Sequence, residues 1–171
     1  MSVFFIADTH FGDRDIIKYE NRPFYDVGEM NAELIKNWNS VVRSNDEVYV
    51  LGDFHKDCDP ESFILRLNGT KYLIKGNHDI LHSNTYREIG FTEVYDKPII
   101  LDNFWILSHE PIYINENMPY VNMFGHVHSN PAIKDYSPYS FCVSAERINY
   151  TPISFTRIKE TLCEELKREI K

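Results

Sequence analysis

Five short apolar runs in this chain end on polar, chemistry-bearing residues, and these endings constrain the fold more than any other feature. "VFFIA" (3–7) runs into "DTH", "EVYVL" (47–51) into "GDF", "KYLI" (71–74) into "KGNHD", "FWILS" (104–108) into "HEP", and "VNMF" (121–124) into "GHVH". Their length and their Val, Ile, Phe and Tyr content predict strands, several too uniformly apolar to leave a face for solvent. A strand closing on a glycine, an amide, an imidazole and a carboxylate puts polar groups where an apolar sheet has no use for them. In open α/β sheets the carboxyl ends of the strands face one crevice, so endings far apart in sequence become neighbours.

Three further runs, "KPIIL" (97–101), "SFCVS" (140–144) and "TPISF" (151–155), extend the strand inventory. Between the first two strands, residues 26–43 carry Met30, Leu34, Ile35, Trp38, Val41 and Val42 on one helical face, and Asp26 with Glu29 gives a capping-box-like start. A shorter helix is expected after Pro60, through "ESFILRL". The tail repeats Ile158, Leu162, Leu166 and Ile170 every fourth residue, as an amphipathic closing helix does. Strand, helix, strand, helix, strand in the first half predicts right-handed crossovers and a mostly parallel sheet. The second half is richer in strands, with "LDNF" (101–104) as a hairpin turn, and predicts a second sheet packed on the first. At 171 residues and 43% hydrophobic content, one α/β domain spanning 1–171 is expected.

Pooling the strand ends gives Asp8, His10, Asp53, Asn77, His78, His109, His126 and His128. Carboxylates with neutral imidazoles and one amide oxygen suit borderline divalent cations, with Mn²⁺ first and Fe²⁺, Zn²⁺ or Ni²⁺ as alternatives. In extended backbone, residues i and i+2 point the same way, so Asp8 with His10, and His126 with His128, are each expected to converge. Gly52, Gly76 and Gly125 each precede a candidate ligand, where a missing Cβ permits the turn that aims it. The set is too large for one four-coordinate ion and suits two. Cys58, Cys142 and Cys163 are scattered without CxxC spacing, which predicts incidental thiols rather than disulfides or a zinc cluster.

The order D-x-H, G-D, G-N-H-D, H, G-H-x-H resembles the calcineurin-like metallophosphoesterase superfamily over residues 6–128. "RPF" (22–24), "EMN" (29–31) and "INYTPISF" (148–155) are similar to small stand-alone bacterial and phage members. The resemblance implies a four-layer αββα sandwich of two mixed sheets flanked by helices, with the site at one rim. It implies that Asp8, His10 and His128 hold a first cation, that Asn77, His109 and His126 hold a second, and that Asp53 bridges them. His78 would stay off the metals, meeting the phosphate and helping the leaving group depart, while Asp79 would anchor the turn or a neighbouring side chain. The implied reaction is hydrolysis of phosphate esters, phosphodiesters ahead of monoesters, by a hydroxide activated between two metals. The alternative is a metal-binding scaffold or sensor that keeps the fold, but such a protein could lose ligands without penalty, and this sequence has the complete set.

Protein phosphatases of the superfamily carry an acidic residue and an arginine shortly after G-D. This chain reads "GDFHKD", and His55, Lys56 and Asp57 do not reproduce that pattern. Phosphate contacts are therefore expected from Arg14, Arg22 or His55. A net charge of −8 argues against broad attraction to polyanions, and no basic, aromatic-interleaved stripe predicts an extended nucleic-acid surface. The expected partner is a small phosphate ester or nucleotide. No apolar run approaches the roughly 20 residues of a membrane span. The opening stretch lacks the features of a secretory signal, and a cytoplasmic location is expected.

Overall fold

In the computed structural model the described residues are 1–130 and 137–166. Strand β1 (Val3–Ile6) leads through helices α1 (Asp15–Tyr19) and α2 (Val27–Val41) to β2 (Glu47–Val50). Helix α3 (Glu61–Ile64), β3 (Thr70–Ile74), α4 (Ser83–Glu88) and β4 (Glu93–Tyr95) complete the first half. Strands β5 (Ile99–Leu101), β6 (Trp105–Leu107), β7 (Val121–Phe124) and β8 (Ser140–Cys142) follow, then a 3₁₀ turn (Ala145–Ile148), β9 (Ile153–Ser154) and α5 (Phe155–Leu166).

The first sheet has the order β4-β3-β2-β1-β9, parallel except for β9, and the second the order β5-β6-β7-β8, parallel except for β5. Two mixed sheets with flanking helices are the α/β sandwich the strand pattern predicts. Successive side chains on a strand face opposite ways, and β1 uses both faces. Phe4 and Ile6 join the cluster containing Met30, Leu34 and Trp38 of α2, whereas Phe5 and Ala7 join Trp105, Leu107 and Met123 between the sheets. Val48 and Val50, against Tyr49 and Leu51, divide in the same way. Burial on both faces is why these runs read as continuously apolar.

Helix α2 starts where its cap predicts: the Asp26 carboxylate accepts from the Glu29 N–H at 2.8 Å, and Glu29 reaches back to the Tyr25 N–H. Of its apolar stripe, Met30, Leu34, Ile35 and Trp38 are buried. In α5, Ile158 and Leu162 enter the inter-sheet core; the Leu166 side chain and Ile170 lie outside the described residues. The "LDNF" turn is present, with Asp102 and Asn103 both left-handed (φ 52° and 55°) and the Phe104 N–H donating to the Leu101 carbonyl. Strand β5 begins at Ile99 rather than residue 97, since Pro98 has no N–H to give a ladder. Strand β4, three residues at the sheet edge, has no counterpart among the predicted runs, being too short to show a period. The cysteines are thiols, each half-buried. Among the described residues no helix is long and apolar enough to cross a membrane.

Trp38 is 1% exposed, and its indole N–H donates to the Asn68 carbonyl at 3.0 Å. Trp38→Ala should therefore cost about 3–5 kcal/mol, which for a chain of this size lowers Tm by roughly 6–20 °C. Calorimetry on the variant checks this, and a drop below about 3 °C would show that α2 is not held through this ring.

Candidate metal centre

The endings of β1, β2, β3, β6 and β7 meet at one rim. Adjacent loops are tied by backbone bonds: the Asp8 N–H donates to Gly52, that of His10 to Asp53, and that of Gly125 to His109. Ala7 pairs with Ser144 in an isolated bridge that joins the rims of the two sheets. This framework places Asp8 with His10 and His128 in one group, and Asp53 with His109 and His126 in another. The ligand atoms within each group lie within 4.8 Å of one another.

Asp53 faces both groups, its Oδ2 lying 3.6 Å from His10 Nε2 and 3.3 Å from His109 Nε2. Asn77 Oδ1 stands 3.1 Å from both His109 Nε2 and His126 Nδ1, and those two ring nitrogens are themselves 3.1 Å apart. The His126 N–H donates to the Asp8 carboxylate at 2.9 Å. His78 forms a third grouping with His10 and Asp53, its ring centroid 5.1 Å from that of His10 and its backbone N–H donating to Asp53 Oδ1 at 2.8 Å. Asp8, His10, Asp53 and His109 are buried, whereas Asn77 and His126 are exposed, so the group opens to solvent on their side.

The ring nitrogens show what the pocket is built to hold. His10 Nδ1 pairs with Asp13 at 3.1 Å, His109 Nδ1 with the Leu51 carbonyl at 2.9 Å, and His128 Nδ1 with Glu146 at 3.1 Å. Each pairing favours Nδ1–H in the neutral ring and so directs the Nε2 lone pair toward a cation, the arrangement of metal-binding imidazoles. His10 Nε2 is fully buried with no hydrogen-bond partner. Around His109 Nε2 stand Asn77 Oδ1, His126 Nδ1 and Asp53 Oδ2, all acceptors toward a cation. A buried orphan and a ring of acceptors without donors fit a divalent cation.

The electrostatics agree. Burial works against charging His10, but Asp13 and Asp53 outweigh it and push the imidazole up to about 9; Asp53 and Asp8 do the same for His109, against the same burial, also to about 9. Burial likewise opposes ionisation of Asp53, yet His10 and His109 hold its carboxyl well below the usual range. Without cations, protons are drawn in to balance the carboxylates. Asp79, pushed up by burial to about 6, accepts from the N–H groups of Asp53, Phe54 and Gly76. It ties the β2 and β3 endings together, which is the anchoring place the turn suggests.

Two sequence expectations are corrected in their mechanism. Asp8 and His10 converge, but not through extended backbone: their φ angles are 57° and 50°, and Asp53, His126 and His128 are also left-handed at 53°, 70° and 47°. Such residues cost of order 1–3 kcal/mol each and persist only where the surroundings hold them. His126 and His128 consequently diverge into different groups instead of sharing one. Of the three glycines, only Gly52 is left-handed (φ 89°); Gly76 and Gly125 are needed for space, since a Cβ would meet Asp53 at the one and Ala7 with Asp8 at the other.

The three residues expected to contact phosphate are not brought together. Arg14 is exposed and lines a separate groove with Lys18 and Tyr25. His55 is buried, its Nε2 3.0 Å from the Tyr86 hydroxyl, and burial lowers its pKa. The Arg22 guanidinium is 0% exposed and is spent on the Asp8 and Thr9 carbonyls and on Glu146. Asp13 and Glu146, which back the rings of His10 and His128, are absent from the sequence reading. Asp13 could have been found three residues after His10, whereas nothing near Glu146 marks it.

Residues 1–166 match the calcineurin-like phosphoesterase family. An uncharacterized protein of Methanocaldococcus jannaschii is 37% identical over 169 residues, 91% of this chain and 88% of that protein. The gene 66 protein of Mycobacterium phage L5 is 35% identical over 86 residues, 47% of this chain and 41% of that protein. The crystal structure of a protein of unknown function from Aquifex aeolicus is similar with a TM-score of 0.74 and 26% identity, over 94% of this chain and 98% of that one.

Proposed function

The chain belongs to the calcineurin-like phosphoesterase family, and from that premise we propose that it is one catalytic domain hydrolysing phosphodiesters with two divalent cations, manganese foremost. The observation that carries this reading is the set of imidazoles paired at Nδ1, with the orphaned His10 Nε2 among them, facing acceptors instead of donors. Asp8, His10 and His128 would hold one cation and Asn77, His109 and His126 the other, with Asp53 shared. Bound there, the cations supply Lewis acidity that activates water and offsets charge on phosphorus. His78, half-buried beside His10, donates its ring proton to a phosphate oxygen or, as the P–O bond breaks, to the departing oxygen.

The preference for diesters follows from charge. A phosphomonoester brings a dianion and calls for further cations, but the guanidinium of Arg22 is already used up by protein acceptors. A diester carries one charge, and the exposed Asn77 and His126 leave its second ester group a way out to solvent.

Chelator-stripped protein reloaded with Mn²⁺ should cleave bis(4-nitrophenyl) phosphate faster than 4-nitrophenyl phosphate; the reverse order would refute the diester assignment. His78→Ala should lower turnover by about 10²- to 10⁴-fold while manganese stoichiometry stays at two. The loss should be greater for an alkyl ester than for a nitrophenyl ester, whose leaving oxygen needs little help from an acid. An equal loss on both would remove the acid role.

A further inference from the structure

We propose that Arg22 and Glu146 form a buried clamp that positions the first cation site, acting on Asp8 from one side and on His128 from the other. The clamp presupposes the metal reading above and goes beyond it, since neither residue is a ligand. Arg22 follows α1, and Glu146 lies in the 3₁₀ turn after β8, 124 residues later. Their side chains are 0% and 4% exposed, with Nη2 2.7 Å and Nε 2.9 Å from Glu146 Oε1. The same guanidinium donates to the Asp8 carbonyl at 2.6 Å and to the Thr9 carbonyl at 3.0 Å, where the chain makes its left-handed turn at Asp8.

The orientation of the carboxylate separates a clamp from a salt bridge that only staples two loops. An Arg–Glu pair left to itself favours the two-pronged geometry, one oxygen for each N–H. Here Oε1 takes both guanidinium contacts and also lies 3.1 Å from His128 Nδ1, while Oε2 is buried with no partner. The second oxygen is forgone so that the first can stand between Arg22 and His128. Burying an ion pair costs desolvation that its own attraction need not recover. The return lies in what each partner holds: a backbone turn that aims Asp8, and an imidazole kept with its Nε2 free.

Glu20, His128 and Glu146 also lie within mutual ligand distance. That group is not a third cation site, because Arg22 already sits on Glu146 and Glu20 Oε2 accepts from the Ser129 N–H and hydroxyl at 3.2 and 2.6 Å.

Calorimetric titration of the metal-free full chain with Mn²⁺ alone tests the clamp. Wild type should show two binding steps. Glu146→Gln keeps the side-chain shape but removes the charge, and Arg22→Lys keeps the charge but cannot reach both carbonyls. Each should weaken one of the two steps by about 10- to 100-fold, the usual effect of losing a ligand's outer partner, with the other step little changed; the metal-free Tm should fall as well, because a buried charge loses its partner. If Glu146→Gln does not fold, Glu146→Asp, whose shorter arm draws the carboxylate back from His128, gives the same reading. Unchanged affinities in these variants would overturn the clamp. So would equal weakening of both steps, the mark of a purely structural pair. A wild-type chain that takes up no Mn²⁺ would sink the metal reading itself, and the clamp with it.

Discussion

Replacing Asp53 with asparagine should reduce manganese-supported turnover by roughly 10³-fold or more, beyond the ~10- to 100-fold typical of losing an outer partner of a ligand. Asparagine has the same shape, and its Oδ1 can still accept from the His78 backbone N–H, a bond of 2.8 Å in the native chain. The loss falls on the other atom. Oδ2 stands between His10 Nε2 at 3.6 Å and His109 Nε2 at 3.3 Å, and an NH₂ group there would turn a shared negative acceptor into a donor. If Asp53 is shared by two cations as proposed, both would lose their common carboxylate, and bound manganese should fall from two equivalents to one at most. Steady-state rates with metal analysis on the same sample decide it. A variant within tenfold of wild type, still carrying two equivalents, would remove Asp53 from the centre of the site.

Gly52→Ala should damage both stability and turnover. The φ of 89° at Gly52 is one that L-residues avoid, at about 1–2 kcal/mol, and the added Cβ would run into the His109 ring and come within 2.8 Å of the Gly76 Cα. Overpacking of this kind costs about 1–3 kcal/mol. The sum, roughly 2–5 kcal/mol, corresponds to a Tm lower by roughly 4–20 °C. The chemistry should suffer as well, because the methyl displaces His109 from its bond to the Leu51 carbonyl. A side chain of the site moved by about 1 Å can cost 10²-fold in rate. Thermal melts and Mn²⁺-dependent rates give the two readings, and wild-type values in both would mean that the β2 and β3 endings are packed less tightly than their contacts indicate.

These effects concentrate where the sequence was most readable. Strands β1, β2 and β3 were visible because two cores claim both of their faces, leaving unbroken apolar runs, and α2 because Asp26 and its buried stripe agree on where it starts and faces. The proximity of the candidate ligands was visible because parallel strands bring their carboxyl ends together, so topology alone pooled Asp8, Asn77 and His126. What escaped was set by tertiary context. The left-handed backbone at Asp8, His10, Asp53, His126 and His128 is imposed by bonds between neighbouring loops, and no local pattern encodes it. Arg22 is expected to contact phosphate in the sequence reading because the stretch after Gly52–Asp53 supplies no arginine. Its burial became evident only with Glu146, from the far end of the chain, beside it. Strand β4 depends on its pairing with β3, not on a period of its own.

Where cations bind is the decisive property of this rim. Anomalous diffraction from crystals of the full chain grown with Mn²⁺ should show two peaks, one enclosed by Asp8, His10 and His128 and one by Asn77, His109 and His126, with Asp53 reaching both. A single peak elsewhere on the surface, or none at this rim while these side chains keep their present positions, would contradict the two-cation centre.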